Sequence, residues 1–168
     1  MGIKRLNHAV LYVSDVADST RFYQQVLGFN PSPGPQPEKA FFAQAAESDN
    51  HHDLALFARN QGLQRAGVFS ARGETPGANE PPAGLYHLAW EVDTLLELKR
   101  IRDQLQALGK LGLEEDHGLF KSVYGHDPDG LLFEINWFLP ADAIRDEDRD
   151  SRTAPLDWER ELARFASH

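Results

Sequence analysis

The chain has 168 residues, enough for one compact domain that buries roughly 70% of its unfolded surface, so neither disulfides nor a structural metal is required for folding. Lys and Arg number 17 against 26 Asp and Glu, and the net charge of −9 opposes attraction to nucleic acid and to anionic lipid surfaces. The absence of cysteine removes disulfides, thiolate catalysis and cysteine-ligated zinc together. It is compatible with a reducing compartment. No apolar run is long enough for a transmembrane helix, and residues 1–5 lead straight into a strand pattern without room for a signal peptide. A cytoplasmic protein is therefore expected, with no nucleic-acid or membrane partner.

The first strand pattern covers 6–13, Leu6-Asn7-His8-Ala9-Val10-Leu11-Tyr12-Val13. Ser14-Asp15 offers an N-cap for a helix over about 16–27, with Val16, Ser19/Thr20, Tyr23 and Leu27 at helical spacing. Gly28 ends it. A Pro/Gly-rich loop at 30–37 precedes strands near 39–45 and 52–58. Residues 59–70 read as irregular, with room for a short helix. The segment 73–84, holding Pro76, Gly77, Pro81, Pro82 and Gly84, reads as a linker.

The second half repeats the pattern. A strand at 85–92 leads through Asp93-Thr94 into a helix over 95–108, whose Leu95, Leu98, Ile101, Leu105 and Leu108 share one face. Gly109 closes it. Strands near 119–125 and 131–138 follow, joined by the turn Asp127-Pro128-Asp129-Gly130. The two halves begin alike, with Leu6-x-His8 and Leu85-x-His87, 79 residues apart. An α+β fold of two βαβββ modules fits this duplication. Module one spans 3–72, the linker 73–84 and module two 85–139 within a single domain, 1–139, followed by an extension at 140–168. In that extension 142–152 carries dense charge of both signs, which suits a solvated loop or frayed helix. Leu156, Trp158, Leu162 and Phe165 then form a short amphipathic pattern. Packing on its own domain is the plainer expectation for that pattern; a lid or a dimer contact is the sharper one.

His8, His87 and Glu134 each sit inside a strand-like apolar run, where an unpartnered polar side chain is costly to bury. Any one of them alone reads as a satisfied core histidine or a carboxylate facing solvent. Together they are the donor set of a 2-His-1-carboxylate facial triad, which holds Fe(II) and leaves positions open. Asp127, Asp129 and Gly130 suit a turn rather than a calcium loop. His126 and His168 read as surface residues.

These residues resemble the vicinal oxygen chelate superfamily (glyoxalase, bleomycin resistance protein and dioxygenase) over roughly 3–139, and most closely a single-domain type I extradiol ring-cleavage dioxygenase. The resemblance implies two paired βαβββ modules forming a half-barrel around a metal site. It implies His8, His87 and Glu134 as metal ligands. The ion would be Fe(II), or Mn(II) or another divalent transition metal. His52, in His51-His52-Asp53-Leu54-Ala55-Leu56, matches the family histidine beside the dioxygen site. His117, in His117-Gly118, and Tyr124 match groups that orient substrate hydroxyls and move protons. The run Tyr124 to Gly130 followed by Glu134 matches the family's C-terminal signature. The spacing from His117 to Tyr124 is about two residues shorter than in better-known members, and two modules stand where many such enzymes have four. The partners implied are an aromatic diol and O2. A homo-oligomer is expected, with a site that is open or completed by a partner subunit.

Glyoxalase-type members carry a fourth ligand, an acid on the last strand of the first module. Aligning 54–57 with 133–136 puts Ala55 there. The alternatives are a metal-dependent lyase or isomerase, and a non-enzymatic small-molecule binding protein of the same fold.

Overall fold

The structure, a computed structural model, describes residues 5–58, 85–149 and 153–165. The linker expected at 73–84, the irregular segment 59–70 and His168 lie outside the described residues. The chain divides into two compact units, Met1–Gly84 and Leu85–His168.

In the first unit, strand β1 (Ala9–Val13) is followed by helix α1 (Val16–Gln25) and strands β2 (Asn30–Pro31), β3 (Ala40–Gln44) and β4 (Leu54–Ala58). The sheet order is β1-β4-β3-β2, with β1 parallel to β4 and the other pairs antiparallel. The Asp15 carboxylate caps α1 by accepting from the Asp18 N–H at 2.9 Å. Gly28, with φ of 75°, turns the chain out of the helix. The buried stripe of α1 is Ser19, Phe22, Tyr23 and Val26, while Val16 and Leu27 are only half-buried, so the stripe is rotated from the expected face. It packs on β3 and β4, whose Phe41, Ala43, Leu54 and Leu56 are buried. Strand β2 falls inside the segment expected to be all loop: Asn30 and Pro31 gain their extended form from pairing with Gln44 and Ala43.

The second unit repeats the order: β5 (Leu88–Glu91), α2 (Leu95–Ala107), β6 (Leu111–Asp116), β7 (Phe120–His126) and β8 (Leu132–Phe138). Its sheet runs β5-β8-β7-β6-β9, where β9 (Ala154–Pro155) belongs to the C-terminal extension. Thr94 caps α2 by accepting from the Glu97 N–H at 3.1 Å. Leu95, Leu98, Ile101 and Leu105 are buried, but Leu108 is 54% exposed. It caps the helix just before Gly109 (φ 65°) turns away, and so leaves the stripe. Strand β6 was not evident in the sequence, since Leu-Gly-Leu-Glu-Glu-Asp neither alternates nor is apolar. Pairing with β7 makes it, with a register irregularity between Leu111 and Glu114.

The described part of the charged stretch, 142–149, is mostly exposed, as a solvated segment should be, while the rest of the extension packs on its own unit. A 3-10 turn (Asp146–Arg149) turns Asp148 inward, β9 pairs with the edge of β6, and helix α3 (Trp158–Phe165) packs beside α2. Phe165 meets the edge of Trp137 at 5.1 Å. Lys121, fully buried, donates to Asp116 and to the Gly118 carbonyl and lies 3.8 Å from Glu161. Arg160 donates to Asp116 and Glu161. Arg164 donates twice to Asp148, each at 2.9 Å.

The Arg164 guanidinium pushes the Asp148 carboxyl down to about 2 from 3.8. A depressed carboxylate contributes stability that is fully present above its unfolded pKa and lost as pH falls through the folded value. That contribution is about 2 kcal/mol at neutral pH, fading between roughly pH 4 and pH 2. Asp148→Asn should therefore lower the melting temperature at pH 7 and flatten the acid limb of the stability curve. Circular-dichroism melts across that pH range check this; identical curves for variant and wild type would refute it.

Candidate functional site

Strand alternation sorts the second sheet into two faces. Phe133, Ile135 and Trp137 point to the α2 side and are buried. Glu134, Asn136 and Phe138 occupy the other face. In the antiparallel ladder Tyr124 lies directly opposite Glu134, Ser122 opposite Asn136, and Phe120 opposite Phe138. In the parallel ladder Ala89 lies opposite Glu134. His87, two residues earlier, falls on the same face, one residue ahead of β5.

This register brings three expected site residues together. His87 Nε2 lies 3.0 Å from Glu134 Oε2. The Glu134 side chain is buried and that of His87 half-buried. The Tyr124 hydroxyl hydrogen-bonds to Glu134, and the Tyr124 and His87 rings meet edge to face at 5.8 Å. Burial, and then the hydrogen bond and charge of Glu134, push the Tyr124 phenol well above its usual pKa. Tyr124 therefore keeps its proton across the physiological range. Ser122 donates to Asn136 at 2.7 Å beside this group.

His8, in the first unit, also lies one residue ahead of its strand. Both histidines thus begin the strands rather than sitting mid-strand as the sequence pattern suggests, and His8 is exposed rather than buried. Its ring lies 4.6 Å from that of His52. His52 also meets Phe42 edge-on at 5.1 Å, and its Nδ1 is 3.0 Å from Nδ1 of the exposed His51. Burial, followed by the charges of His8 and His51, lowers the His52 pKa, so the ring is neutral at pH 7. The neighbouring Asp53 is tied down by the Ala45 N–H at 2.8 Å, Ser48 Oγ at 2.7 Å and Asn50 Nδ2 at 2.7 Å. Burial works to raise the Asp53 pKa, and these hydrogen bonds outweigh it.

Ala55 is fully buried and lies opposite Val10 in the parallel ladder with β1. Val10 is two residues after His8, as Ala89 is two residues after His87. Ala55 and Glu134 therefore occupy equivalent register positions in the two units.

His117 is not brought to Tyr124. It sits in the turn between β6 and β7, stacked on Phe120 at 4.7 Å, with Nδ1 3.3 Å from Thr153 Oγ1. Phe120 is four residues from Tyr124 along β7, roughly 13 Å of strand. His117 lines an apolar cavity of about 350 Å³ with Leu119, Phe120, Phe138, Leu139 and Ile144. His126 is exposed. Asp127 accepts from the Asp129 and Leu131 N–H groups, each at 2.9 Å, which is turn chemistry as expected.

Among the described residues of either unit, no group of three or more His, Asp or Glu side chains encloses a metal position. The second unit supplies two donors. Their 3.0 Å separation fits two ligands at right angles around an octahedral ion, since bonds of about 2.1 Å give about 3 Å between them. Glu115, whose charge also bears on Tyr124, escaped the sequence reading because β6 did.

A family model described as the glyoxalase/bleomycin resistance protein/dioxygenase superfamily matches residues 5–135. Virulence protein STM3117 of Salmonella typhimurium is 29% identical over 144 residues, covering 83% of this chain and 88% of that protein. Its crystal structure superposes with a TM-score of 0.55 at 25% identity, covering 83% of this chain and all of the other. Lactoylglutathione lyase from Agrobacterium tumefaciens has a TM-score of 0.55 at 20% identity, covering 82% and 96% of the two chains. The fosfomycin resistance protein FosX from Listeria monocytogenes has 0.54 at 18%, with the same coverage. Those two likenesses carry the fold alone. The chain belongs to the glyoxalase/bleomycin resistance protein/dioxygenase superfamily.

Proposed function

We propose that this chain is an Fe(II)-dependent extradiol dioxygenase that opens a catechol-type aromatic diol with O2. His8, His87 and Glu134 would hold the ion, leaving the remaining positions to the substrate's two oxygens and to O2. The observation that carries the reading is the register equivalence of Ala55 and Glu134: one unit presents a carboxylate to its histidine, the other only a methyl group. Three protein donors suit a substrate that chelates, whereas a fourth would occupy a position that chelation needs.

When bound, the iron would supply Lewis acidity toward the diol and a site for O2. Two neutral imidazoles and one carboxylate leave positive charge on that ion, which favours an anionic diol. The protein's own groups handle protons. His52 is neutral and adjoins His8, so it can accept a proton at an imidazole nitrogen and return it. Tyr124 remains a phenol and can donate to a substrate oxygen beside Glu134. His117, at the far end of β7, would meet only a remote part of the substrate.

Anaerobically purified protein should contain one divalent transition metal per chain, natively iron, and His87→Ala should lose it. Elemental analysis checks this; undiminished metal in His87→Ala would sink the ligand assignment. His52→Ala should keep the metal and lose about 10²–10⁴-fold in turnover of a catechol. Unchanged turnover would make His52 an ordinary loop residue.

Ala55→Glu should bind metal at least as tightly while losing both catechol chelation and O2 uptake, since the new carboxylate takes an open position. Overpacking at this buried site typically costs about 1–3 kcal/mol, so melting is measured beside activity. A folded Ala55→Glu that cleaves catechols as well as wild type would overturn the three-donor argument and leave a lyase or isomerase as the better reading.

A further inference from the structure

Asn50 is surrounded by partners of fixed hydrogen-bonding character. Its Nδ2 lies 2.8 Å from the Asn7 carbonyl oxygen and 2.7 Å from Asp53 Oδ1, both of which only accept. Its Oδ1 faces the Arg5 guanidinium, which only donates. The amide orientation of Asn50 is thereby fixed, and Oδ1 is the atom it offers to Asn7, at 3.2 Å. Asn7 must meet that oxygen with its Nδ2. Its own Oδ1 is then left facing His8 Nδ1 at 2.8 Å. An amide oxygen cannot donate, so His8 Nδ1 carries the hydrogen. In the neutral ring the lone pair is on Nε2.

The relay is anchored at both ends. Asp53 is held by three donors, and its carbonyl accepts from the Ala9 N–H at 2.9 Å, tying the 48–53 loop to the start of β1. Arg5 also pairs with Asp49 at 3.0 Å. His87 is supported differently: among the described residues its buried Nδ1 has no hydrogen-bond partner, and its ring is oriented through Nε2 by Glu134. The two histidines are therefore set by different devices.

We propose that Asn7 and Asn50 are positioning residues that hold His8 in the Nδ1–H tautomer and so aim an Nε2 lone pair at a divalent metal ion. This rests on His8 being a ligand, as in the reading above. A ligating histidine whose other ring nitrogen donates a hydrogen bond has its ring orientation fixed and its basicity raised; losing that partner typically costs about 10–100-fold in metal affinity.

The test uses nitrogen-15 correlation spectra of the full-length, metal-free chain to read the His8 tautomer, and Co(II) titration to read affinity. Wild type should show His8 as the Nδ1–H form and bind Co(II). Asn7→Ala and Asn50→Ala should shift His8 toward the Nε2–H form and weaken Co(II) binding about 10–100-fold, with melting unchanged in Asn7→Ala and lowered in Asn50→Ala, which also loses its bonds to Asp53 and the Asn7 carbonyl. Asn7→Asp keeps an acceptor at Nδ1, so it should restore the wild-type tautomer and recover affinity over Asn7→Ala, which a merely structural role would not do. Tight Co(II) binding by Asn7→Ala with an unaltered His8 tautomer overturns the positioning role and leaves the ligand assignment standing. Failure of wild type itself to bind Co(II) overturns both.

Discussion

The candidate site depends on the register of β8. This strand lies between β5, parallel to it, and β7, antiparallel to it, and Glu134 is the residue on which both ladders bring polar groups to bear. A slip of one residue would turn Glu134 under α2 and put Ile135 outside. The slip is prevented by the opposite face. Phe133, Ile135 and Trp137 are at most 3% exposed, and burying each large apolar side chain contributes about 1.5–3 kcal/mol. The hydrophobic core, rather than any interaction at the site, fixes where the carboxylate points. Gly125 serves the same end. A Cβ there would lie 2.8 Å from both Leu105 and Phe133, so α2 sits directly on β7 at the residue after Tyr124.

The two units share a topology and differ in chemistry. Each starts with a histidine one residue ahead of an edge strand, and each last strand puts one residue opposite the second position of that edge strand. In the second unit that residue is Glu134, which reaches its histidine. In the first it is Ala55, closed in by Val10 and Phe42, its partners in the two ladders. Among the described residues of its unit no carboxylate pairs with His8, which is held instead from behind by Asn7, with His52 at its side. Duplication thus supplies the frame twice, and the side chains at equivalent positions, Ala55 and Glu134, decide which unit brings an acid.

What could be read from sequence follows from how local each signal is. The helices were legible because Asp15 and Thr94 cap them and Gly28 and Gly109 stop them, and in α2 leucines mark the buried face. His87 and Glu134 were legible because polar residues in apolar strands stand out, and Tyr124 was legible only through the family resemblance. Strand β6 was not, because Gly112, Glu114 and Glu115 carry no strand preference and the extended form comes from β7 alongside. His8 reads as mid-strand because of its apolar neighbours, but the strand starts only at Ala9. The distance between His117 and Tyr124 was hidden too: seven residues in sequence say nothing of direction until β7 is known to run straight through four of them.

The extension illustrates the same limit from the opposite side. Dense mixed charge reads as a solvated surface, because in isolation an ion gains nothing by leaving water. Lys121 changes that balance. It lies on the α2 side of β7 next to the apolar core, and once buried it needs opposite charge close by. Asp116 comes from β6 and Glu161 from α3, with Arg160 bridging the two carboxylates. Phe165 on Trp137 supplies the apolar part of the contact, and β9 covers the backbone edge that β6 would otherwise expose. Apolar burial could seat a short amphipathic helix in several orientations. The ion pairs distinguish among them, since any other seating takes Glu161 away from Lys121 and Arg164 away from Asp148. Within the charged stretch Asp148 leaves solvent to meet Arg164, and that pair, with Glu161 beside Lys121, fixes where α3 docks.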